Sequence, residues 1–125
     1  MIFNKIDQIM ERVHEHFPEL NVTDNDFKVP APDEYPICYV IPSATNTVPQ
    51  VRGVNEQNDL ITIMLFESVS GNEVVGDKRR AVKALFDDIA DVISSLNFMA
   101  NGQISYIETV ADRTKVTGVK LTIRM

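Results

Sequence analysis

The sequence contains no tryptophan and a single cysteine, Cys38. One thiol cannot close an internal disulfide, so the chain is not a stapled secreted scaffold, and nothing in it calls for an oxidising compartment. The N-terminus lacks the uninterrupted apolar run of about seven or more residues that a secretion signal needs, because charged residues recur from Lys5 onward. Nor does any window approach the roughly 18 apolar residues of a membrane-spanning helix. These absences predict a soluble protein that stays in the cytoplasm or leaves it inside a larger particle, with no membrane partner. Basic charge is also scarce. The formal net charge of −6 argues against a general nucleic-acid binder, which needs a basic footprint to release counterions, but it suits a surface that lies near DNA without holding it.

What remains is ordinary globular material. Hydrophobic residues are 44% and charged residues 24% of 125, which excludes disordered and fibrous classes and fits one domain with one core over residues 1–125. Ile2, Ile6, Ile9, Val13 and Phe17 recur at helical spacing before Pro18, predicting an amphipathic helix over 2–17. A polar, proline-containing loop follows over 18–34. Residues 35–41 read as a strand, and Pro36 and Pro42, which bracket it, suit a strand end or a sheet edge. Residues 42–58 are polar and exceed the usual loop length, so they predict a functional loop or an extended hairpin arm. Residues 59–66 form the clearest strand, and both of its faces are apolar. Ile61, Ile63 and Leu65 point one way, and Leu60, Met64 and Phe66 the other. A strand of that kind is expected to be covered on both sides. After a turn over 67–76, Asp77 is a plausible N-cap for a second helix over 78–96, with Val82, Leu85, Phe86, Ile89, Val92, Ile93 and Leu96 on its buried stripe. Strands over 103–110 and 116–124 flank a turn at 111–115. The predicted class is α+β in the order α-β-β-α-β-β, a four-stranded, mostly antiparallel sheet with two helices on one face.

The search for chemistry is mostly negative. His14 and His16 are two apart on a helix, whereas helical metal pairs sit three or four apart. Asp24-Asn25-Asp26 starts like a calcium loop but has Val29 and Tyr35 where the glycine and glutamate belong. Asn21-Val22-Thr23 has glycosylation spacing, which is idle in a chain that is not secreted. Cys38, between Ile37 and Tyr39 in a strand, reads as a buried structural thiol. Nucleotide-loop, nucleophile-elbow and zinc-helix motifs are missing, and no cofactor and no enzymatic activity are expected. Asp87, Asp88 and Asp91 cluster on a charged helix side, which suits a solvated or interface-facing surface better than an acid–base pair.

One charge pattern is less ordinary. Lys78, Arg79 and Arg80 open the second helix and its Asp residues follow, opposite to what the helix dipole favours. Tertiary packing outweighs such small terms. A second account is that the basic cluster meets an acidic surface on another subunit. Lys78, Arg79, Arg80, Asp87 and Asp91, with Arg52 in the 42–58 stretch, are the candidate subunit or partner contacts.

In layout the chain resembles the tail terminator, or tail completion, proteins of long-tailed bacteriophages. The likeness covers the opening helix, the bracketed strand Tyr35–Pro42, the polar arm, the apolar strand Asp59–Phe66, the single long helix Asp77–Leu96 and a closing hairpin ending at Met125. No invariant motif carries it. The resemblance implies a virion protein of the tail or neck, built in the host cytoplasm. It implies a homo-oligomeric ring, usually of six subunits, that caps the major tail tube protein and presents a surface to the head connector or head-closure protein. DNA would pass nearby without specific binding. Two other classes stay open: another neck or head-closure adaptor, and a ferredoxin-like small-molecule-binding regulatory domain.

Overall fold

A computed structural model describes residues 2–26, 28–43, 60–111 and 113–125. The first helix, α1 (Ile2–His16), buries Ile6, Ile9 and Val13, the centre of the stripe read from the sequence. The second, α2 (Val75–Ile93), buries Val82, Phe86, Ile89 and Ile93 and runs into a short 3-10 turn over Ser94–Leu96. It starts three residues before the expected 78. Its N-cap is Val74, which makes no side-chain capping bond, so Asp77 is not the cap but an acid within the first turn. There the helix dipole favours it.

Among the described residues six strands form the sheet: β1 (Asn21–Thr23), β2 (Ile37–Pro42), β3 (Leu60–Val69), β4 (Met99–Ala100), β5 (Ser105–Ala111) and β6 (Thr114–Arg124). The order is β1-β2-β3-β6-β4, and β5 also pairs with β6. β5 takes the Thr114–Lys120 part of β6, and β4 the Ile123–Arg124 end. All pairings are antiparallel except β1 with β2. The expected four strands are therefore six. β1 lies inside the stretch read as a loop, and β4 follows α2. At three and two residues they are too short to show a period, and pairing against a longer neighbour is what makes them strands.

Strand register sorts the side chains. Cys38, Leu65 and Val119 are neighbours across the sheet, as are Val40, Ile63 and Leu121. These residues join Ile61 and Ile123 and the buried stripes of both helices in one core cluster. Both helices thus pack on one face, as the sequence predicts. Cys38 is fully buried, and burial pushes its thiol up to about 12. A thiol reagent at pH 8 is accordingly expected to label Cys38 no faster than the chain unfolds, which pulse labelling in increasing denaturant checks.

The opposite face carries Ile37, Tyr39 and Ile41 of β2, Leu60, Thr62, Met64 and Phe66 of β3, and Val116, Gly118, Lys120 and Thr122 of β6. Phe66 lies across Gly118, and a Cβ there would stand 2.4 Å from the ring and 2.9 Å from the Leu65 carbonyl oxygen. The ring also meets Tyr39 edge-on, with centroids 6.0 Å apart. The hydroxyls of Thr62 and Thr122 approach to 3.4 Å farther along the face.

Candidate assembly surface

Residues 44–59 lie outside the described residues, and with them Arg52 and nearly all of the predicted 42–58 arm. The remaining candidates, Lys78, Arg79, Arg80, Asp87 and Asp91, share α2. Each cation of its first half meets a carboxylate of the same chain. Lys78 pairs with Glu73 at 2.9 Å, Arg80 with Asp77 at 3.4 Å, Lys83 with Asp87, and Arg79 with Glu108 of β5. Asp91 is exposed, and its backbone carbonyl accepts the Ser94 hydroxyl at 2.6 Å. The reversed charge at the start of α2 is thus answered locally, and the Arg79–Glu108 pair ties the helix to the sheet.

The turn before α2 is pinned in the same way. Glu73 accepts from the Lys78 ammonium and from the Ser70 amide at 3.0 Å. These bonds, that of Lys78 foremost, hold its carboxyl down at about 2, from an ordinary 4.5. A depressed carboxyl stabilises the fold above its unfolded value, so this support is present above pH 4.5 and fades as pH falls toward 2. The group is at the surface, so the contribution is small.

Among the described residues two surfaces stand out. The first is the sheet face away from the helices. Its apolar side chains are unevenly covered: Ile37, Tyr39 and Val116 are buried, whereas Ile41, Leu60, Met64 and Phe66 are half-buried. The segment before β2 supplies part of the cover. Asp26, Lys28, Val29, Pro30 and Tyr35 wall a groove of about 270 Å³ whose floor includes Tyr39, Met64 and Phe66. Burial, reinforced by Tyr35, Asp26 and Glu34, raises the Tyr39 hydroxyl above its ordinary value. The second surface is β5 at the sheet edge, where Tyr106 and Val110 are 60% and 65% exposed. Sequence reasoning reads 103–110 as a strand, which β5 bears out, but names neither it nor Glu108 as a contact surface. The available signal was the lack of lysine and proline in 103–110, where an edge strand normally carries them.

Among the described residues no group of three or more His, Cys, Asp or Glu side chains is placed to hold a metal ion, and no helix is long and apolar enough to cross a membrane. No protein-family model matches the chain, and no curated protein matches it.

Proposed function

We propose that this chain is a structural virion protein of the tail terminator kind. Its copies join head-to-tail into a ring, of six by the resemblance, that caps the tail tube and joins it to the head connector. The observation that carries the reading is β3. Ile61, Ile63 and Leu65 enter the core beneath the helices, while Leu60, Met64 and Phe66 lie half-buried on the face the helices do not cover. An apolar face of this kind marks a contact surface rather than a solvated one. A ring follows when two different patches of one chain meet repeatedly around an axis. The net charge of −6 suits a passage for DNA that must not retain it.

The basic start and acidic later turns of α2 are a further pair of unlike patches. Arg79→Glu with Arg80→Glu is expected to leave a folded monomer that no longer assembles, since the ion pairs it breaks are exposed and contribute little to folding. Light scattering and circular dichroism on the same sample check both halves. An oligomer unchanged by the double substitution removes these arginines from the interface. The function itself is tested by co-sedimentation with purified tail tubes. The protein is expected in the pellet with tubes and in the supernatant without them, and a supernatant fraction indifferent to tubes contradicts the proposal.

A further inference from the structure

The edge of the sheet at β5 differs from the edge at β1. β1 is three residues long, and the Asn21 side chain beside it donates to the Glu34 carbonyl at 2.7 Å. β5 runs for seven residues, Ser105–Ala111, and among the described residues it pairs with β6 alone. In an antiparallel ladder alternate residues aim their N–H and C=O groups away from the partner strand. Edge strands are ordinarily blunted by lysine, proline, a bulge or brevity, because such a row of groups templates another strand. β5 has no lysine and no proline, and its register with β6 is unbroken from Ser105 to Ala111.

We propose that β5 is a docking edge for an extended segment of another polypeptide, which adds to the sheet as a further strand. The occupant is specified by the side chains of one face. Tyr106, Glu108 and Val110 alternate on the side where Arg79 of α2 reaches the sheet, and Glu108 is the sole charged residue of β5. The matching segment is extended and reads apolar–x–basic–x–apolar, so that a lysine or arginine lies opposite Glu108, whose carboxylate it shares with Arg79, and apolar groups lie opposite Tyr106 and Val110. The same edge of a second copy does not fit. A two-fold pairing that uses all of Ser105–Ala111 is centred on Glu108 and sets two carboxylates directly opposite each other. The docking edge is a different surface from the half-buried sheet face, and although Arg79, a proposed ring contact, pairs with Glu108 beside it, protection of β5 amides by a peptide is read without any ring forming.

The test uses the full-length, isotope-labelled chain and a capped synthetic peptide, Ser-Val-Thr-Arg-Thr-Val-Ser. Addition of the peptide is expected to slow hydrogen exchange at alternate amides of β5 by about tenfold or more, with little change at β1. N-methylation of the peptide at one parity of residues abolishes this protection, and at the other parity preserves it. Tyr106→Lys with Val110→Lys, both at exposed positions, weakens binding by about tenfold while the fold is kept. A charge-swapped pair, Glu108→Lys with glutamate in place of the peptide arginine, restores what either change alone loses. Absence of β5 protection at saturating peptide overturns the proposal. So does binding that is indifferent to N-methylation or to the charge at position 108.

Discussion

Phe86→Ala is expected to lower the stability of the chain by about 3–5 kcal/mol, the usual cost of emptying an aromatic site in a packed core. Phe86 is 2% exposed on the buried stripe of α2, beside the inward side chains of β3 and β6. A domain of this size has only about 5–15 kcal/mol in total, so one such cavity removes a large share of it. Urea titration checks the value. The midpoint should fall with little change in slope, because the surface exposed on unfolding stays nearly the same. A loss below about 1 kcal/mol would mean that α2 packs less closely on the sheet than described.

Gly118→Ala is the second large effect, and it acts on the opposite face. The glycine is not required by backbone conformation. It is required by the ring of Phe66, 2.4 Å from where the new methyl would stand, and by the Leu65 carbonyl oxygen at 2.9 Å. The ring can tilt, at the expense of its contact with Tyr39, but the carbonyl belongs to the β3–β6 ladder and cannot. A cost on the order of 1–3 kcal/mol follows, as for other overpacked sites. Gly118→Ala combined with Phe66→Leu should recover part of the loss measured against Phe66→Leu alone, and the carbonyl contact should keep the rest. Full recovery would place the whole cost in the ring.

These two positions also mark what the sequence makes legible. Phe86 belongs to a helical stripe that runs from Val82 to Leu96, about four turns, and the periodicity names it without a structure. The same is true of Ile6, Ile9 and Val13 in α1, and alternation groups Ile61, Ile63 and Leu65 on one face of their strand and Val119, Leu121 and Ile123 on one face of theirs. Gly118 is different. It occupies the polar side of an alternating strand, and its crowding depends on Phe66, fifty-two residues earlier, which the β3–β6 register sets beside it. Long-range pairing of this kind leaves no local trace. The brief strands β1 and β4 escape for the same reason, since two or three residues carry no period.

The charged start of α2 was legible as an anomaly but not in its resolution. Three of its four cations find acids within five residues, at Glu73, Asp77 and Asp87, and these could be guessed from spacing. The fourth, Arg79, reaches Glu108 on β5, a contact that only the folded sheet creates. The doubly apolar character of β3 was plain from the sequence. That a proline-containing segment before β2, rather than a second helical layer, supplies part of its outer cover was not.

The central claim is that the half-buried apolar face of the sheet exists for contact between copies and with a tube. Negative-stain electron microscopy of the purified chain, alone and mixed with tail tubes, tests it most directly. The account predicts rings with a central hole, or caps seated on tube ends. Compact single particles that leave every tube end bare would contradict it.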